Sequence, residues 1–143
     1  MGSEMCIRDR IMSRLPLRWP LHGAVKSEFG PRRSPWDGEP ERHPGIDIGS
    51  PMGTPVAAPA PGTVVAADVH GGFGKHVMID HGNGVRSLYG HLSAIDVKVG
   101  DRVEKGQVLG LVGSTGRSTG PHLHYELLVH GSPVDPRGFL AER

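Results

Sequence analysis

Cys6 is the one cysteine in a chain of 143 residues, so an internal disulfide is excluded and the redox compartment stays open. Aromatic residues make up only 5%. No apolar run approaches the roughly 20 residues of a membrane-spanning helix. Charge of one sign is not in excess either: 16 Lys and Arg stand against 15 Asp and Glu. With no basic cluster interleaved with aromatics, this balance argues against nucleic acid as a partner. Residues 1–14 do not read as a secretory leader, because they carry charges throughout and no apolar centre. An exported protein would carry its signal outside this chain. Residues 1–10 read as vector-derived or mis-assigned sequence, and 1–17 as a charged, aperiodic tail ahead of one domain over 18–143.

What the chain has in plenty is punctuation, with 22 Gly and 13 Pro. Between these breaks lie short alternating runs. Residues 63–67, 76–80, 85–91, 107–112 and 122–129 read as strands. Asn83-Gly84 between two of them is a strong hairpin signal. The Pro-rich, polar stretch 34–43 reads as a loop. No segment sustains a 3.6-residue period, so the expected fold is all-β, a twisted antiparallel sheet or barrel in a single domain.

Two histidine patterns carry the chemistry. In a strand over 122–126, His122, His124 and Glu126 share one face, while Leu123, Tyr125 and Leu127 share the other and suit a core. Two imidazoles on one face need a metal or a water-filled groove to satisfy them. Far upstream, His43-Pro44-Gly45-Ile46-Asp47 spaces a His and an Asp four apart. Pro44, Gly45 and the β-branched Ile46 and Ile48 argue against a helix there. Asp47 is therefore expected in a sheet, with His43 reaching over from a loop. Together the two patterns make the ligand set of an open zinc site. His91 closes the run 85–91 and is expected to share a face with Tyr89.

The remaining histidines, His22, His70, His76, His81 and His130, read as turn or hairpin residues. Glu126 is read equally as a carboxylate behind a metal-binding histidine or as a solvated strand-end group. The glycine-rich stretches 71–75 and 113–120 do not fit a phosphate-binding loop and read as turns. No Gly-x-Ser-x-Gly is present, so nucleophilic serine chemistry finds no support.

The order of motifs resembles the M23 peptidases, the LytM or lysostaphin type. The resemblance rests on Ser27-Glu28-Phe29-Gly30-Pro31-Arg32, His43-Pro44-Gly45-Ile46-Asp47-Ile48 and Gly53-Thr54-Pro55-Val56. It continues through Ile79-Asp80-His81-Gly82-Asn83-Gly84, Tyr89-Gly90-His91-Leu92-Ser93, residues 113–126 and Val134-Asp135-Pro136. Gly90 departs from the family, where Ala is common. The resemblance implies a sheet with a second, small sheet forming a groove. It implies one Zn2+ held by His43, Asp47 and His124, with His91 and His122 as the catalytic histidines. The implied activity is endopeptidase cleavage of peptide cross-links in bacterial peptidoglycan by a metal-activated water. Action outside the cytoplasm, as a monomer, goes with it.

Two rivals remain. A non-catalytic wall-binding or amidase-activating module of the same type would lose ligands, whereas this chain keeps all five residues. A biotinyl- or lipoyl-type carrier is suggested by the run 97–109, but its hairpin would need a lysine where this chain has His81-Gly82-Asn83-Gly84. The 34–42 stretch with Trp36 is the expected wall of a substrate groove.

Overall fold

Short β-branched runs between glycines build strands, and no helix longer than a single 3-10 turn occurs among residues 19–116, 118 and 120–138, which the computed structural model describes. The tail over 1–17 lies outside these residues. In chain order the strands are β1 (Ala24–Ser27), β2 (Gly30–Arg33), β3 (Pro40–His43), β4 (Ile46–Gly49), β5 (Pro55–Ala57) and β6 (Gly62–His70). There follow β7 (Gly74–Gly82), β8 (Val85–Ile95), β9 (Arg102–Val103), β10 (Val108–Val112), β11 (His122–Val129) and β12 (Ser132–Val134). One antiparallel sheet has the order β1-β4-β11-β8-β7-β6-β9; β10 joins β5 to β8, and β12 flanks β11. β2 and β3 form a separate two-stranded sheet.

The five expected strands are all present, and the all-β, two-sheet architecture agrees with the expectation. The loop expected over 34–43 is corrected at its end. Pro40–His43 is β3, paired with β2 in the register Gly30↔His43 and Arg32↔Glu41. His43 thus reaches the site from a strand of the small sheet, not from a loop.

Alternation along β11 works as the sequence pattern requires. Leu123, Tyr125 and Leu127 are fully buried, and the first two join Ile46, Ile48, Val77, Ile79 and Tyr89 in one core. Each such side chain contributes about 1.5–3 kcal/mol by leaving water. Tyr89 and Tyr125 are cross-strand partners with ring centroids 5.4 Å apart. At the β7–β8 hairpin, Asn83 and Gly84 have φ of 56° and 79°, the two positive values a type I′ turn demands. No lysine stands at this tip, so a swinging-arm carrier is not built here.

His81, near the hairpin end of β7, is buried, 3% exposed. Its Nδ1 donates to the Pro61 carbonyl at 2.8 Å, and its Nε2 lies 2.7 Å from Ser87 Oγ. Ser87 Oγ in turn lies 2.6 Å from the Tyr89 hydroxyl. Burial, opposed in part by the Pro61 carbonyl, lowers the His81 pKa. The neutral ring then accepts from Ser87, which accepts from Tyr89, and every polar atom in the chain is satisfied.

Candidate metal centre

Three strands converge on one patch of the main sheet. β4 and β11 pair with His124 opposite Asp47, and β11 and β8 pair with His124 opposite Gly90. Gly90 lacks a side chain, which leaves room on this face. His91 arrives by a different route. By simple alternation it would share the face of Tyr89, as expected from the sequence. The structure overturns that expectation: Lys75 pairs with Leu92 and Val77 with Tyr89, so β8 holds one more residue than β7 over this interval. The extra residue is a bulge. His91 sits in it with φ of 62°, turned onto the face of His124, while Tyr89 and Leu92 both remain in the core. Nor does β8 end at His91; it runs on to Ile95.

His43, Asp47 and His124 are buried, and their ligand atoms all lie within 4.8 Å of one another. His43 Nδ1 donates to the Glu28 carbonyl at 2.9 Å. Its Nε2 is buried, has no hydrogen-bond partner and lies 3.3 Å from Asp47 Oδ2. On the other side, His124 Nδ1 is 2.8 Å from Asp47 Oδ1, and His124 Nε2 donates to Glu126 Oε2 at 2.9 Å. Glu126 is thus a buried partner of His124 and not a solvated strand end. The donor set of two imidazole nitrogens and one carboxylate oxygen, with its unpartnered buried ring nitrogen, fits Zn2+.

Without a metal, a proton takes that place. Burial opposes charge on His124, but hydrogen bonds to Asp47 and Glu126 prevail and raise its pKa to about 9. Burial would raise the Asp47 pKa, yet contacts with His124 and His43 hold it far below the usual carboxylate range. Arg32 from the small sheet adds its Nη1 at 3.3 Å from Asp47 Oδ2 and 2.8 Å from Ser27 Oγ. Phe73 stacks on the His124 ring at 5.6 Å.

His91 and His122 stand beside this cluster, ring centroids 4.9 Å apart and edge to face. Each donates Nδ1–H to a backbone carbonyl: His91 to Thr115 at 2.7 Å and His122 to Gly120 at 2.9 Å. Both rings thereby present Nε2; that of His122 is 3.7 Å from Asp47 Oδ1. Burial first, then the neighbouring His122 and His124, lowers the His91 pKa to about 4 against the pull of the Thr115 carbonyl. The five histidines and acids singled out from the sequence therefore meet at one place. They line a groove of about 670 Å³ together with residues of the 34–41 segment, among them Trp36, 45% exposed. Sequence reasoning did not single out Arg32, Phe73 or Thr115. Arg32 lay inside a matched motif, and the other two in stretches read as turns.

Residues 41–136 match the sequence model described as Peptidase family M23, and the chain belongs to that family. It is 51% identical over 116 residues to the DD-carboxypeptidase/endopeptidase Mpg of Neisseria meningitidis, covering 81% of this chain and 27% of that protein. It is 48% identical over 130 residues to the peptidoglycan DD-endopeptidase ShyA of Vibrio cholerae, covering 89% and 29%. The chain thus spans under a third of the length of these relatives. Among solved structures, a zinc-containing peptidase from Vibrio cholerae superposes with a TM-score of 0.79 at 38% identity, over 86% of this chain and 39% of that one. The catalytic domain of lysostaphin from Staphylococcus simulans gives 0.75 at 36%, over 82% and 91%.

Proposed function

We propose that the domain is a zinc endopeptidase that hydrolyses peptide cross-links of bacterial peptidoglycan outside the cytoplasm. The observation that carries this reading is the buried, unpartnered Nε2 of His43 facing Asp47 and His124, with two further histidines offering Nε2 beside it. His43, Asp47 and His124 would hold one ion per chain. A zinc ion bound there supplies Lewis acidity and lowers the pKa of a water toward roughly 7. Glu126 orients the His124 ring. His91 and His122, each locked in one tautomer, accept a proton from the attacking water and return it to the leaving amine. The groove seats an extended peptide along the His91–His122 wall, and the 34–41 segment lies opposite.

The relatives at 51% and 48% identity are named for DD-peptidase activity, which favours D-Ala cross-links over glycine bridges. The test is digestion of purified peptidoglycans of both cross-link types, with products identified by mass. Cross-linked dimers should become monomers in the D-Ala type, and chelator should abolish the change. Absence of chelator-sensitive products from every wall type overturns the reading.

A further inference from the structure

We propose that Thr115 is the positioning residue for His91: its hydroxyl and carbonyl together hold the bulge that turns the imidazole into the groove. This rests on the reading of His91 as catalytic. A non-glycine residue at positive φ, such as His91 at 62°, is strained and persists only where its surroundings over-determine it. Here Thr115 does so from three directions. Its carbonyl accepts the His91 Nδ1–H at 2.7 Å. Its hydroxyl donates to the carbonyl of Leu92, the residue after His91, at 2.6 Å. The same hydroxyl accepts the Lys75 N–H at 3.1 Å.

Lys75 and Leu92 are register partners, and they border the bulge. The Thr115 hydroxyl therefore stands between an N–H of β7 and a C=O of β8, bridging the ladder where the extra residue interrupts it. Only a hydroxyl can accept and donate at one such point. The loop carrying Thr115 is pressed against β7 closely enough to fix this geometry. A Cβ on Gly74 would lie 2.5 Å from Gly116 N, and one on Gly116 would lie 2.3 Å from Gly74 N. The three hydrogen bonds leave the His91 ring one tautomer, Nδ1–H with Nε2 free, and one direction.

The test compares Thr115→Val, Thr115→Ser and His91→Ala as zinc-loaded proteins. It reads kcat and KM on a cross-linked muropeptide, zinc content, and long-range proton–nitrogen spectra of the histidine rings. Thr115→Val should lose about 10–100-fold in kcat, the usual scale for misplacing a catalytic group, with KM and zinc content parental. Its exchange-protected His91 Nδ1–H signal should vanish, and Thr115→Ser should restore both. Parental kcat in Thr115→Val with His91→Ala inactive overturns the proposal alone. A Thr115→Ser protein as impaired as Thr115→Val overturns it too. Parental turnover in His91→Ala instead overturns the catalytic reading beneath it. Should Thr115→Val fail to fold, the parental spectrum decides. A protected Nδ1–H supports the proposal, and a ring protonated at Nε2 or in free exchange overturns it.

Discussion

Asp47 and His124 face each other as register partners across β4 and β11, with carboxylate Oδ1 2.8 Å from imidazole Nδ1. The same pair that would hold a metal holds a proton without one, so zinc and pH compete for His124. Its pKa of about 9 in the metal-free fold lies above the ~6.5 of an unfolded histidine. Its contribution to metal-free stability is therefore fully present below pH ~6.5 and lost as pH rises through about 9. Melting of metal-stripped protein should show that fall, and His124→Phe should flatten it. Near pH 7, zinc binding should release about one proton from His124, read as calorimetric heats that differ between buffers of different ionisation enthalpy. Buffer-independent heats would count against it.

Under the proposed assignment, metal holding and proton handling separate at His122 and His124, two residues apart on one face of β11. His124→Ala would remove a proposed ligand and leave Asp47 and Glu126 without their shared partner, so zinc and activity should disappear together. His122→Ala leaves the three ligands and Glu126 in place. It should keep about one zinc per chain while turnover drops by about 10²–10⁴-fold, the range for losing a positioned acid or base. Metal analysis beside a muropeptide assay distinguishes them; parental turnover in His122→Ala would remove it from the catalytic set.

The legible part of the site was the part that obeys a regular period. Alternation along 122–127 assigned both faces of β11 correctly, and Ile46 to Ile48 marked β4. The facing of His91 escaped because a bulge breaks the period: nothing local in Tyr89-Gly90-His91 announces an extra residue, which exists only relative to β7. The same holds for β3, since Pro40–His43 is a strand only because β2 lies beside it. Glu126 stayed undecided because burial of a strand-end carboxylate depends on what covers it. Thr115 lay in a glycine-rich run without periodicity, where only the folded loop shows which hydroxyl meets which strand.

Two glycines flank the site for different reasons, and alanine should tell them apart. A Cβ on Gly45 would lie 2.3 Å from the Tyr125 carbonyl and 2.8 Å from Glu126 Cγ, so Gly45→Ala must push β4 from β11 beside the metal ligands. It should lower stability by about 1–3 kcal/mol, as overpacking does, and weaken zinc binding. A Cβ on Gly90 meets only His124 Cβ at 3.5 Å and Phe73 atoms at 3.6 Å, ordinary contacts at an ordinary φ. Gly90→Ala should therefore stabilise by about 0.4–1 kcal/mol through the unfolded chain, with zinc content unchanged. Denaturant titration of both variants checks the pair, and a destabilised Gly90→Ala would mean that His124 or Phe73 has to move.

Tyr89 and Tyr125 meet as cross-strand partners in the core, their rings tilted by 37°, yet their hydroxyls differ in kind. The Tyr89 hydroxyl lies 2.6 Å from Ser87 Oγ, at one end of the chain that reaches His81. The Tyr125 hydroxyl is buried and finds no hydrogen-bond partner among the described residues. Burial pushes the pKa of both upward, so neither ionises and only the hydrogen bond distinguishes them. Tyr125→Phe deletes a buried group that lost its hydration without replacement, and stability should rise by about 1 kcal/mol. Tyr89→Phe deletes a satisfied donor and strands an acceptor site on Ser87, so stability should fall by about 0.5–1.5 kcal/mol. Because the ring contact survives in both variants, their opposite signs in zinc-saturated denaturant titrations isolate the hydroxyls from the packing. A loss in Tyr125→Phe equal to that in Tyr89→Phe would show that its hydroxyl has a partner after all.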